Sequence, residues 1–309
     1  MGFIMNATDA LVLFGASKAG ETYLEKHPDY NIVAFVDNDS KRHNQRIGQI
    51  PVLAPETLKT IQYDKIVITS LWIDSIFQQL TKELGIAAEK IYVPNKKELK
   101  SEQPFSHPQT LELGHQLIIM LSELFREHQI KACIDSGTLL GIMREGRLLA
   151  WDDDIDFAID DADFDKALTV LKRFPMLAPL QDKVDWQATL LRQSGEDVCL
   201  NIEFKPKPGC SLVPFETSLQ RRKSVNGRSE LLSSAGIFFA PEHHFNTLET
   251  INFGGHAISI PSEAVNFLTF MYGDWQTPKK SMTLNDYDNR RSIIETQHRT
   301  VSISKLAFW

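Results

Sequence analysis

The amino-acid sequence predicts two domains of different class, an α/β domain followed by an α+β domain. Three observations carry this. In the first hundred residues short apolar runs alternate with helical stretches. A polar segment with two prolines, Lys96–Pro108, then breaks the pattern. Beyond it helix and strand signals interleave around dense acidic turns. A length of 309 residues suits two domains better than one.

In the first domain, residues 1–98, Leu11–Phe14 is an apolar run that ends at Gly15, followed by a helical stretch from Lys18 to Glu25. Asn31–Val36 and Lys65–Thr69 are buried-strand patterns, a helical pattern covers Ile73–Leu84, and Ile91–Val93 is a fourth strand. Apolar strands separated by helices of this length imply parallel pairing, a Rossmann-like module. Its Gly15-Ala16-Ser17-Lys18-Ala19-Gly20 loop keeps the first and last glycine of a dinucleotide loop but has Ser17 in the middle. Asp37 lies 22 residues after Gly15, where a ribose-binding acid would sit. Gly15, Ser17, Gly20 and Asp37 are therefore a partial cofactor site, set against a scaffolding role for the module.

In the second domain, residues 108–309, the strongest helix signal is Gln109–Glu127, with Leu113, Leu117, Met120, Leu121, Leu124 and Phe125 on one face. Residues 131–135 and Asp152–Ile159 read as strands, Asp163–Phe174 as a helix, Val198–Phe204 as a third strand and Ser262–Tyr272 as a helix.

Hydrophobic residues make up 42% and charged residues 24%, which excludes a disordered chain or a coiled coil. No apolar run approaches a membrane span, and the first residues read as lacking a secretory signal. Peripheral membrane contact and an oligomer stay open. Three cysteines without a CxxC pair suggest a reducing, cytoplasmic setting and no structural zinc. Residues 1–100 carry 12 acids and 12 bases, leaving 28 acids and 21 bases for the rest, the wrong sign for gripping nucleic acid.

The most specific segment is Asp135–Phe157, DSGTLLGIMREGRLLAWDDDIDF. In an extended strand Asp152, Asp154 and Asp156 point one way, and Asp153 with Ile155 the other. Converging carboxylates need a counter-charge, and a hard divalent cation, Mg²⁺ or Mn²⁺, is the usual one. The competing reading is a solvated acidic turn. The apolar Leu148, Leu149, Trp151, Ile155 and Phe157 around the acids argue for the cation. A turn of small residues at Ser136–Gly137, a strand with paired acids and a third acid on an adjacent strand are the parts of a nucleotidyltransferase-like fold. Glu203, in the apolar Leu200–Phe204 run, is the candidate third acid. The basic stretch of Lys205, Lys207, Arg221, Arg222 and Lys223 reads as anion-binding or as a solvated loop.

Ser136-Gly137-Thr138-Leu139-Leu140-Gly141, Arg144, Gly146 and Trp151 to Asp156 resemble the signature of the LicD/fukutin family. The later Met271-Tyr272-Gly273-Asp274-Trp275, with Pro278 behind it, resembles that family's C-terminal element. The resemblance covers about residues 108–280. It implies a metal-dependent phosphotransferase that moves a phospho-alcohol, such as phosphocholine or ribitol phosphate, from a CDP-linked donor to a saccharide or glycolipid acceptor in cell-surface polysaccharide synthesis. Asp154 and Asp156 would then be the principal metal ligands, with Asp152 a further member and Glu203 the later strand acid. Ser136, Gly137, Thr138, Arg144 and Lys205 would face the donor, and Tyr272, Asp274 and Trp275 the acceptor. Ala150, Glu145 and Glu203 depart from the family's usual residues. The alternatives are a nucleotidyltransferase releasing pyrophosphate, an NAD-dependent sugar-modifying enzyme using the first domain, and a non-catalytic glycan-binding protein.

Overall fold

The computed structural model describes residues 8–70, 72–94, 96–99, 103–193, 195–233, 236–278, 288–291 and 303–309. The chain forms two compact units that divide between residues 101 and 102.

In the first unit, β1 (Ala10–Phe14) is fully apolar inward and leads through Gly15 into α1 (Lys18–Lys26). There follow β2 (Asn31–Val36), β3 (Arg46–Ile47), β4 (Ile50–Leu53), β5 (Lys65–Ile68), α2 (Ile73–Gln78), β6 (Ile91–Tyr92) and α3 (Lys96–Leu99). The sheet order is β3-β4-β2-β1-β5-β6. All pairs are parallel except β3 with β4. Gly20 is required by close packing: a Cβ there would lie 2.3 Å from the Gly15 carbonyl oxygen and 2.9 Å from the Phe35 ring. Part of the expected linker lies in described residues. It holds α3 and a 3₁₀ turn at Pro104–Ser106, while residues 100–102 lie outside the described set.

The second unit opens with α4 (Pro108–Glu127), with proline at the N1/N2 position, where its missing N–H costs nothing. Then come β7 (Ala132–Ile134), α5 (Ser136–Glu145), β8 (Asp154–Asp160), α6 (Phe164–Leu171), α7 (Phe174–Leu177), β9 (Val184–Gln193), β10 (Glu196–Pro206), β11 (Glu216–Val225), β12 (Arg228–Ser233) and β13 (Gly236–Pro241). The chain continues with α8 (His243–Asn246), β14 (Leu248–Phe253), β15 (His256–Pro261), α9 (Ala264–Tyr272), β16 (Arg290–Arg291) and β17 (Ile303–Ala307). Among the described residues nine strands form one mixed sheet. β11 organises it. One side of β11 pairs with β10; the other pairs with β8, in parallel, over Glu216–Arg222 and then with β12.

β8 buries Ile155, Phe157 and Ile159 and leaves Asp154 and Asp156 half-buried on the opposite face. α4 covers the apolar face, with Phe125 edge-on to Phe157 at 5.8 Å. Three expectations are corrected. The small residues from Ser136 do not form a turn. They are the first turn of α5, capped by Asp135, whose carboxylate accepts the Ser136 N–H at 2.7 Å. The Asp163–Phe174 helix is two pieces, α6 and α7, with Lys172 and Arg173 between them. The expected three strands of the second domain are part of a far larger sheet, in which β9, β11 and β12 mix polar residues among the apolar ones and so lack a continuous apolar run.

β17 closes the edge of β9, and Trp309 stacks on Phe174 at 5.4 Å. Trp309→Ala is expected to lower unfolding free energy by about 2 kcal/mol, since a large ring is removed from a half-covered site. Chemical denaturation checks this. No helix among the described residues is long and apolar enough to cross a membrane.

Candidate functional site

The site lies on the open face of the second unit's sheet, and strand register assembles it. β10, β11 and β8 bring Glu203, Glu216 and Asp154 into one row. The next row is Asn201, Ser218 and Asp156. Neighbouring strands lie about 4.8 Å apart, so the three carboxyls of the first row are close neighbours.

Two hydrogen bonds join the start of α5 to β8. Asp156 N–H donates to Thr138 Oγ1 at 2.9 Å, and Asp135 N–H donates to the Asp156 carbonyl at 3.0 Å. Thr138 is buried, so its hydroxyl is spent on holding the strand. Gln220 Nε2 donates to Asp156 Oδ1 at 2.7 Å and fixes that carboxylate. The Asp152 carboxylate rests against Gly137: a Cβ there would lie 2.2 Å from Asp152 Oδ2. An anion is stabilised at that position because it lies at the positive end of α5.

One carboxylate oxygen from each of Asp152, Asp153 and Asp154 lies within 4.8 Å of the others. This corrects the expected alternation. β8 begins only at Asp154, so Asp152 and Asp153 precede the strand and are not forced to opposite faces. Asp153 joins the group, and Asp156 stands one row further along. The set is all hard oxygen, which suits a small divalent cation.

Glu216 was not legible as a site residue. Burial, then the hydrogen bond and negative charge of Glu203, then Asp154, push its carboxyl up to about 8. Ser218 Oγ donates to Glu216 at 3.1 Å. Glu216 thus keeps its proton near neutrality beside Glu203, the more exposed of the two. The signal in sequence was the alternation of Glu216, Ser218 and Gln220 against buried Thr217 and Leu219.

The other expected residues divide. Lys205 is exposed and lies two residues beyond Glu203, so it shares the acidic face. Arg144 does not reach into the row. Its Nη1 donates to the Trp275 carbonyl at 3.0 Å, its Nη2 to Glu145 at 3.1 Å, and it packs 5.5 Å from the Trp151 ring. Trp275 is a core residue, Tyr272 is half-buried against the core, and Asp274 is exposed. The basic run is consumed by acids: Arg221 pairs with Asp161 at 2.5 Å, Arg222 with Asp135 at 2.7 Å, and Lys223 with Glu196. Neither His243 nor His244 gathers with these acids; His244 is buried with Nδ1 on the Ser262 carbonyl at 2.8 Å. Cys133 is buried, and burial pushes its thiol well up.

In the first unit both oxygens of Asp37 are engaged, by Ala16 N–H and Asp39 N–H, each at 2.8 Å. Arg42 donates to the Ala16 carbonyl beside it. Ser17 starts α1 without a side-chain cap.

Gly137→Ala is expected to leave the fold as stable as the parent or slightly more so, because alanine is better by about 0.5–1 kcal/mol in a helix. The obstructing atom is the end of a flexible side chain, so Asp152 moves away. Mn²⁺ affinity is expected to fall by about tenfold, by analogy with disturbed ligand supports. Calorimetry and thermal melts together check this.

Residues 129–263 match the LicD/FKTN/FKRP nucleotidyltransferase domain model, and residues 7–92 match the C2185-like N-terminal model. A Rickettsia prowazekii (strain Madrid E) protein, RP689, is 26% identical over 161 residues, 52% of this chain and 54% of its own length. The chain thus spans about half the length of the curated relative it matches. UDP-D-quinovosamine 4-dehydrogenase from Vibrio fischeri is similar at 18% identity over 29% of this chain and 82% of that one. Its TM-score of 0.24 is too low to bear on chemistry. The segment that holds the SGT helix start, the aspartates and both glutamates is a domain of the LicD/FKTN/FKRP family.

Proposed function

We propose that the second unit transfers a phospho-alcohol from a CDP-linked donor to a hydroxyl of a glycan, in the building of a cell-surface polysaccharide. The observation that carries this reading is the convergence of Asp152, Asp153 and Asp154 within 4.8 Å beside the Glu203–Glu216–Asp154 row. A bound Mg²⁺ or Mn²⁺ supplies charge neutralisation at the donor pyrophosphate. Asp152, Asp153 and Asp154 would hold it, with Asp156, fixed by Gln220, one step along the strand. Lys205 adds a positive charge on the same face for a phosphate oxygen.

The acceptor oxygen attacks the alcohol-bearing phosphorus in line. The bond from that phosphorus to the CMP oxygen breaks, and CMP leaves. The hydroxyl proton passes to a carboxylate, for which Glu203 is the exposed member of its pair and Asp152 the alternative. Glu216 keeps the row from carrying a third full charge until the substrates are bound.

For the first unit we favour a scaffolding role, because the Asp37 carboxylate is tied to the loop it would have to share with a ribose. Three free cysteines fit a cytoplasmic setting.

Chromatography of reactions with Mg²⁺, a panel of CDP-alcohols and glycan acceptors tests the reading. CMP together with a phosphodiester-linked product is the expected outcome. Pyrophosphate released from a nucleoside triphosphate, with no CMP, would replace it with nucleotidyl transfer.

A further inference from the structure

Arg222 is a cation sealed inside the second unit, with 5% of its surface exposed. Its guanidinium is held by three hydrogen bonds and an aromatic ring. Nε and Nη2 donate to the same oxygen of Asp135, Oδ2, at 2.9 and 2.7 Å. Nη1 donates to the Ser229 carbonyl at 3.2 Å, and the Phe245 ring lies 4.3 Å away. Asp135 is itself 1% exposed. Because Arg222 takes only Oδ2, Oδ1 is left for the Ser136 N–H. Ser136 has φ 50°, a left-handed conformation that costs a non-glycine residue about 1 kcal/mol and persists only where neighbours impose it.

Such a pair is a poor device for stability alone, since buried ion pairs often match or lose to apolar replacements. Its geometry explains it better. The chain of contacts runs from Arg222 to Asp135, to the strained start of α5, and from there to Asp156 through Thr138 and to Asp152 through Gly137. We propose that Arg222 is a positioning residue, which through Asp135 sets the first turn of α5 and so the placement of Asp152 and Asp156. It touches no reacting group. This inference rests on the functional reading above for what the aspartates bind, though not for the clamp itself.

Two variants test it. Arg222→Lys keeps the charge but loses the planar fork, and Arg222→Met with Asp135→Asn removes both charges while keeping an acceptor for the Ser136 N–H. Hydrogen exchange by mass spectrometry reads the clamp, and Mn²⁺ titration by electron paramagnetic resonance reads its consequence. In both variants exchange over 136–142 and 154–158 should quicken by about tenfold or more, with α4 unchanged, and Mn²⁺ binding to the folded protein should weaken by about tenfold. Unchanged exchange at those segments, or equal quickening throughout the unit, would overturn the clamp. Local quickening with unaltered Mn²⁺ affinity would overturn the positioning role. A parent protein that binds no Mn²⁺ would sink the functional reading instead, with the clamp still upheld by local quickening.

Discussion

Replacing Asp154 with asparagine should lower transfer by at least ~10³-fold while the thermal midpoint stays within a few degrees of the parent. Asp154 is where the two acidic groupings meet. It shares the oxygen cluster with Asp152 and Asp153, and it stands beside Glu216 in the cross-strand row. Removing one of these crowded negative charges relieves repulsion among the carboxylates, so folding does not suffer. The same change takes away a ligand at the point where the reaction most needs positive charge held. Asp156→Ala should abolish transfer as well, but with a further loss of about 1 kcal/mol, because Gln220 is left without its acceptor. The assay is CMP release at saturating Mg²⁺, run beside a melt. Asp154→Asn with more than about a tenth of the parent rate would remove Asp154 from the site.

The second large effect is on stability and its dependence on pH. The Glu216 carboxyl is pushed from 4.5 up to about 8, first by burial and then by Glu203 and Asp154. A folded-state value above the unfolded one means that folding favours the protonated form. That contribution is complete below pH 4.5 and drains away as pH rises towards 8. Glu216→Gln keeps a hydrogen-bond donor towards Glu203 and carries no charge at any pH. It should match or fall slightly below the parent at pH 5 and exceed it by a few kcal/mol at pH 9. Denaturant titrations of both proteins from pH 5 to 9 would show the curves crossing. Parallel curves would mean that folding does not raise the Glu216 carboxyl.

The reading of individual elements shows where sequence is informative. α4 was legible because its buried leucines recur with helical period, and Phe125 and Leu121 do face the core. β8 was legible from Asp154 onward because apolar and acidic residues alternate. Two residues earlier the same rule failed, since Asp152 and Asp153 are not yet in a strand. Ser136–Gly137 looked like a turn because small residues favour turns. The Asp135 cap and Leu139 one turn later make it a helix, with Gly141 packed so closely that a Cβ would meet the Arg147 carbonyl at 2.7 Å.

The basic stretch shows the opposite limit. Arg221, Arg222 and Lys223 looked available to an anion, yet each is taken by an acid from elsewhere in the chain: Asp161, Asp135 and Glu196. Nothing in the local pattern announces those pairings. Glu216 was hidden in the same way, since a carboxylate five residues ahead of a basic run gives no sign that β8 and β10 will flank it.

Side-chain periodicity, charge and the order of motifs along the chain were enough to find the acidic strand, its small-residue partner and the family they belong to. These properties depend on neighbours within a few residues, where backbone geometry leaves little choice. The Glu203–Glu216 pairing, the Arg222 clamp and the fate of Arg144 came only from the folded chain. Strand register and the burial of one charge against another join positions from 13 to 131 residues apart, and each depends on how every other strand is packed.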